Sequence, residues 1–227
     1  MKLEGIDIAI VKTERRKTVS IFIERDGSVR VLAPISATDE IIENVLKAKE
    51  YQIYIKIAKW KELNQGKVNR EFVNGQSFLY FGRNYCLAIV ENQPIPLRLS
   101  GGYLKIDKKY LSKADKVFKD FYKVKAEHKI AERLKLIQDK FELKPTKVKV
   151  SELQNRWASW TPKNGLYFHW KCAMAPIPVL DYIITHEMVH LKYPNHSPEF
   201  WNELDKKMPD YREHENWLKQ NGVKMSL

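Results

Sequence analysis

His186, Glu187 and His190 stand in the run His186-Glu187-Met188-Val189-His190, and His196 follows six residues after the last of them. On a helix the two outer histidines lie one turn apart on one face, so two imidazoles can grip one metal ion. Glu187 sits beside them, placed to take a proton from a metal-bound water, and His196, beyond the helix, supplies a third ligand. Three protein ligands with an open fourth position form the pattern of a catalytic zinc site rather than a structural one. The chemistry implied is metal-assisted hydrolysis, most often of a peptide bond. Composition alone yields an HExxH run in roughly one such chain in a hundred, so the third histidine and the context strengthen the reading. The plainer alternative, a core helix with satisfied histidines, has to explain three histidines and a glutamate on an otherwise apolar segment.

The elements that must position these residues can be read on either side of them. Pro176 and Pro178 precede the segment and Asp181 suits its first turn, which predicts a helix start there. Leu180, Ile183, Ile184, Val189 and Leu191 make it a buried helix with a polar seam, ended by Pro194. Ser197-Pro198-Glu199 predicts a further helix with Ser197 as its cap, broken at Met208-Pro209-Asp210. Asp210 caps a last helix that ends near Asn221-Gly222. Upstream, Lys147–Val150 alternates as a strand, and Asn155 to Trp160 leads into a turn at residues 161–165. A second strand follows over 166–170, with Leu166, Phe168 and Trp170 on one face. From Ser112 a long amphipathic helix is expected on the stripe Val117, Phe121, Val124, His128, Ala131, Leu134, Ile137 and Phe141. His128 reads there as a core or boundary histidine rather than a ligand. Short strands fill 71–106. A helix over 36–63 is capped by Ser36 or Thr38, and 17–31 forms a hairpin around Asp26-Gly27. The fold class expected is α+β: a β-rich N-terminal half with an inserted long helix, then a helical region with a short hairpin beside the metal helix. The expected boundary lies near residue 108, giving regions 1–108 and 109–227. No internal repeat or low-complexity linker is evident.

Composition bounds the setting. The 227 residues are 44% hydrophobic and 11% aromatic, enough for a packed core. No apolar run approaches the roughly 18 residues of a membrane span, and the N-terminus lacks the apolar core of a signal peptide. Cys86 and Cys172 are too few for a disulfide framework. A reduced, cytoplasmic protein is the expectation. Of the net charge of +12, all falls in residues 1–150, which hold 31 Lys/Arg against 19 Asp/Glu, while residues 151–227 hold nine of each. One reading is a basic surface for nucleic acid or an acidic partner. The other, favoured by lysines at helical spacing such as Lys47, Lys49, Lys56, Lys59 and Lys61, is a solvated surface.

Residues 155–201 resemble the YgjP-like metallopeptidases, a minimal zincin group related to SprT-like proteases. The likeness rests on Arg156-Trp157, Trp170, Ala175-Pro176, Asp181-Tyr182, the HExxH run, Asn195-His196-Ser197 and Phe200-Trp201. It extends upstream through Arg16-Lys17-Thr18, the Asp26-Gly27 hairpin, Ala33-Pro34 and Phe72-Val73-Asn74-Gly75 to Tyr85. Three positions depart from the family pattern: Ala158 stands for Gly, Trp160 for Cys and His169 for Asn. The first two adjoin the expected cleft, and His169 reads as a hydrogen-bonding substitute more than a fourth metal contact. The spacing of the three histidines equals that of metzincins, but Tyr193 occupies the glycine position and no Met-turn is evident, so a metzincin is rejected.

The resemblance implies a zincin-like domain over 109–227 after a basic β-rich region. It implies a peptide or protein substrate, and one zinc ion on His186, His190 and His196 with Glu187 as general base. Tyr193, Tyr211, His214 and Arg156 are the candidates for oxyanion stabilisation, and the sequence does not choose among them. Asn195 either orients His196 through a hydrogen bond or shapes its turn, and Asp181 either supports the site from behind or starts the helix. The strands within 148–170 offer an edge for an extended peptide. By analogy with SprT-like proteases, the basic residues 1–150 tether the protein to DNA-bound substrates or link it to restriction-modification systems. An inactive zinc scaffold is the third reading, and an intact Glu187 argues against it. No membrane association is expected, and the sequence leaves the oligomeric state open.

Overall fold

Between Ile23 and Val29, Asp26-Gly27 turns the chain: Gly27 takes φ +86°, and the Asp26 carboxylate accepts the Ser28 N–H at 2.9 Å. Only glycine holds such a φ without strain, which is why the dipeptide was legible as a hairpin. The computed structural model describes residues 2–3, 6–24, 26–64, 70–153 and 156–227. Asn155, at the head of the expected lead-in to the second hairpin, lies outside them. The elements in order are β1 (Lys2–Leu3), β2 (Ile6–Lys12), β3 (Ser20–Ile23), β4 (Val29–Ala33) and α1 (Asp39–Asn64). There follow β5 (Ser77–Tyr80), β6 (Arg83–Val90), β7 (Leu97–Ser100), β8 (Tyr103–Asp107) and α2 (Ala114–Ile137). Last come β9 (Lys147–Ser151), β10 (Ala158–Trp160), β11 (Gly165–His169), α3 (Ile177–Val189), α4 (Pro198–Lys207) and α5 (Tyr211–Asn221). The α+β class is borne out.

The chain divides into two compact units, residues 1–67 and 68–227. The boundary expected near 108 falls inside the second unit, between β8 and α2, because the β5–β8 sheet shares one core with α2 and α3. In the first unit the sheet order is β1-β2-β4-β3, with β2 and β4 parallel. Helix α1 covers it with Ile42, Leu46, Ile53 and Ile57. Of the two cap candidates Thr38 serves, its hydroxyl accepting the Ile41 N–H at 3.3 Å. The five α1 lysines are all exposed.

In the second unit the order β5-β6-β8-β7 repeats the topology of the first sheet, and β10-β11-β9 repeats its last three strands. Each time a strand is followed by a hairpin, and the hairpin's second strand inserts in parallel beside the first. This leaves β3, β7 and β10 as edges, and a helix follows each set. The sequence shows no repeat, yet the topology occurs three times. Phe78, Leu87, Leu104 and Ile106 of the second sheet pack on Phe118 and Tyr122 of α2. The Tyr122 hydroxyl donates to the Leu79 carbonyl at 2.6 Å. The buried stripe of α2 is Ala114, Phe118, Tyr122, Ala126, Ile130, Leu134 and Ile137. The expected stripe was therefore displaced toward solvent along most of the helix, and His128 and Val124 are exposed.

The β5–β6 turn ties this sheet to the approach of α3. Phe81 N–H and Gly82 N–H donate to the carbonyls of Ala173 and Met174 at 2.8 and 3.0 Å. Gly82 has φ +78°, and a Cβ there would lie 2.8 Å from Pro176 Cγ, at the residue that opens α3. A Gly82→Ala substitution combines a left-handed backbone with a backbone-level clash, and destabilises by about 1–3 kcal/mol or more. A lowered urea midpoint is the expected readout, and an unchanged one contradicts this account of the turn.

Candidate metal centre

Helix α3 is apolar on nearly every side: Val179, Leu180, Tyr182, Ile183, Ile184, Met188 and Val189 are all buried. Pro176 precedes it and Pro178 lies in its first turn, but it ends at Val189, before Pro194, with His190 as C-cap. The chain then turns through residues 190–192, where the Leu191, Lys192 and Tyr193 N–H groups bond back to Met188 and Val189 carbonyls at 3.0–3.2 Å. That tight exit, rather than the proline, brings His196 back over the helix. Asp181 lies beyond the first turn and binds Arg133 of α2 through two hydrogen bonds of 2.7 Å each. It thus clamps α3 to α2 by a forked ion pair.

The three histidines converge. Their candidate ligand nitrogens lie within 4.8 Å of one another, and His196 Nε2 is 3.0 Å from His186 Nε2. Nitrogens about 2.0 Å from a tetrahedral ion stand about 3.3 Å apart, so the His186–His196 pair is close to that spacing and the set has donor chemistry that fits a zinc ion. His190 Nδ1 meets the Tyr193 carbonyl at 3.0 Å, which fixes the tautomer that turns its Nε2 toward the other two rings. His186 Nδ1 is buried without a hydrogen-bond partner among the described residues.

An aromatic shell encloses the cluster. The Phe200 ring lies 4.9, 4.6 and 4.7 Å from His186, His190 and His196, a common floor beneath all three. Trp201 stacks on His196 at 5.5 Å, and Tyr211 stacks on Trp201 at 5.7 Å. Trp160 lies nearly parallel to His190 at 6.2 Å. The spacing of Phe200, one turn beyond His196 on the next helix, was its sequence signal, but motif reading gave it no role. Helix α4 begins at Pro198 as expected. The Ser197 hydroxyl donates to Glu199 Oε2 at 2.5 Å instead of capping a backbone N–H.

Glu187 is buried, at 7% exposure. Burial pushes its carboxyl from the ordinary 4.5 up to about 8, against the opposing pull of the Arg156 guanidinium and the Trp160 backbone N–H. Burial, aided by the neighbouring histidines, lowers His186 from 6.5 to about 3, and burial lowers His190 and His196 as well. Three imidazoles held neutral suit a metal ligand set.

The remaining candidates separate by position. Arg156, exposed and 3.2 Å from the Ser159 hydroxyl, is the one whose charge is felt by Glu187. Tyr193 contributes its carbonyl to His190, while its ring is covered by Lys192. Tyr211 is buried behind Trp201, and His214 faces Asp210 at 3.2 Å. Asn195 is exposed, and among the described residues its side chain makes no hydrogen bond to His196. His169 is buried outside the three-histidine group, its Nδ1 accepting the Lys171 N–H at 3.1 Å, as a hydrogen-bonding substitute would. Cys172 beside it is buried, and burial pushes its thiol up to about 12.

These shifts set the acid and base limits of the metal-free protein. The depressed histidines contribute stability that is present above pH 6.5 and lost as pH falls below it. Glu187 has the opposite sign: its contribution is present below 4.5 and lost as pH rises to about 8. Of these four groups only Glu187 acts between pH 6.5 and 8, so it should lower metal-free stability by about 2 kcal/mol over that interval. Denaturant melts of the apoprotein check this, and Glu187→Gln should abolish the fall.

The family model of the YgjP-like metallopeptidase domain matches residues 17–221. No curated protein matches the chain. The matched span runs from the first hairpin to the end of α5. No described helix is long and apolar enough to cross a membrane. The chain belongs to the YgjP-like metallopeptidase family and is a metal-dependent peptidase.

Proposed function

We propose that the chain hydrolyses peptide bonds with zinc held by His186, His190 and His196 and with Glu187 as the general base. The convergence of three neutral imidazoles beside one buried carboxyl group supports this reading. Zinc so held would supply a Lewis acid and lower the pKa of a water to about 7. Cationic charge at the histidines would also draw Glu187 below its metal-free value, into the carboxylate form that a base requires. Glu187 then takes the proton of the attacking water on a carboxylate oxygen and returns it to the leaving amine. The Trp160 N–H bonds that carboxylate, the Arg156 guanidinium favours its charged form, and Arg156 is the preferred oxyanion candidate of the four.

Strand β10 supports an extended substrate. Trp157 and Thr161 bond toward β11 through His169 N–H to Trp157 O at 2.7 Å and Thr161 N–H to Gly165 O at 2.9 Å. Residues alternate, so Ala158 and Trp160 turn their backbone groups to the open edge. With the Trp160 N–H given to Glu187 and its C=O accepting from the Ser159 hydroxyl at 3.4 Å, the Ala158 N–H and C=O are left for a peptide laid along the edge. The Trp160 indole, in place of the family's Cys, narrows the cleft over His190.

Elemental analysis should find about one zinc per chain, the stoichiometry of a single catalytic site, with most of it lost in His196→Ala. Glu187→Gln should retain the metal and lose about 10²–10⁴ in peptidase kcat. Wild-type turnover by that variant would refute the assignment of the base. Tethering to nucleic acid is a second proposal, carried by the charge of residues 1–150. A gel shift that weakens as salt rises supports it, and no shift at low salt ends it.

A further inference from the structure

Helix α3 and edge strand β10 make the candidate catalytic cleft, and the preceding strand set has the same pair of elements: edge strand β7 and helix α2. Between them runs a groove of about 550 Å³, walled by Leu97 and Leu99 on one side and Val117, Phe121 and Val124 on the other, with one acid, Asp120, against the basic Lys125 and Arg98 in its lining. Val124 is 50% exposed, and Ile95 at the mouth is 48% exposed.

Among the described residues, strand β7 is unpaired on its outer side. Arg98 faces Lys105 and Ser100 faces Tyr103 in register, and the Asp107 N–H bonds the Pro96 carbonyl at 3.1 Å. The even positions therefore bond inward, and Leu97 and Leu99 direct N–H and C=O away from β8. Leu99 is the more accessible of the two.

The opposite face of the same edge carries a second signal. Arg98 and Lys105 sit directly across from one another. Among the described residues neither has an ion pair, and Lys105 is half-buried. Like charges directly opposite destabilise a sheet. An added strand with acidic side chains on that face would relieve the repulsion, while its alternate apolar side chains would enter the groove. A second copy of this chain would instead bring Arg98 toward another Arg98.

We propose that the β7–α2 groove is a docking site for an extended, acidic peptide segment of a partner protein, in which apolar and acidic residues alternate. The segment adds as a strand to β7 through the N–H and C=O of Leu99. Its apolar side chains rest on Leu97, Val117, Phe121 and Val124, and its carboxylates meet Arg98 and Lys105. This goes beyond the peptidase reading and does not depend on it.

The test is fluorescence anisotropy with a labelled peptide of alternating Glu and Val and its Lys counterpart. The protein is the metal-free full chain carrying Glu187→Gln, so that cleavage and binding are kept apart. The acidic peptide should bind at least about tenfold more tightly than the basic one. Val124→Arg should weaken it by about tenfold or more, Arg98→Glu should reverse the charge preference, and Leu136→Arg, exposed on α2 outside the groove, should change nothing. Equal affinity for the two peptides, no binding, or binding indifferent to Val124→Arg and Arg98→Glu overturns the proposal. A dimer in sedimentation that Val124→Arg dissolves, without peptide binding, overturns it in favour of self-pairing.

Discussion

The burial of α3 is the constraint on which the second unit depends. A helix apolar on nearly all sides needs cover from every direction, and it receives α2, α4, α5, β10 and the β5–β6 turn. That enclosure depresses three histidines and elevates one glutamate at once, because low polarity penalises every charged form. Neutral imidazoles and a proton-holding carboxyl group are therefore two results of one packing arrangement. The polar groups that remain at the rim, Arg156 and the Trp160 amide, act on the one side chain whose charge the proposed reaction needs.

Aromatic rings give this enclosure its shape. Phe200 touches all three imidazoles, and Trp201 and Tyr211 continue the stack outward from His196. Flat, stiff side chains lose little freedom when buried, so they hold the three imidazole rings at low entropic cost. The forked Arg133–Asp181 pair and the Gly82 turn secure the same helix at the level of the backbone.

How much of this was legible depended on range. The helix that carries the HExxH run, the Asp26-Gly27 hairpin, the α1 helix and the start of α4 follow from local patterns and are present as read. The stripe of α2 was not, because its sequence offers two apolar rows one residue apart. The true one includes Ala114 and Ala126, which carry little hydrophobic signal, and it was chosen by Tyr122 reaching Leu79 and Trp170. The division of the chain was likewise hidden, since short strands at residues 77–107 look alike whether they pack forward or backward along the chain. Parallel pairing of β6 with β8, or β9 with β11, leaves no mark in either strand. At the site, the motif indicated the histidines that converge, but Phe200 and the Trp160 amide emerge only from geometry.

The threefold recurrence of strand, hairpin and helix bears on how such a protein changes over time. A chain built from copies of one pattern needs reactive groups in just one of them. The other two, with grooves beside β3 and β7, are released from the demands of chemistry. Substitutions there can reshape what those grooves admit without touching the histidine cluster or Glu187, so divergence between descendants should gather in the grooves while that cluster stands still.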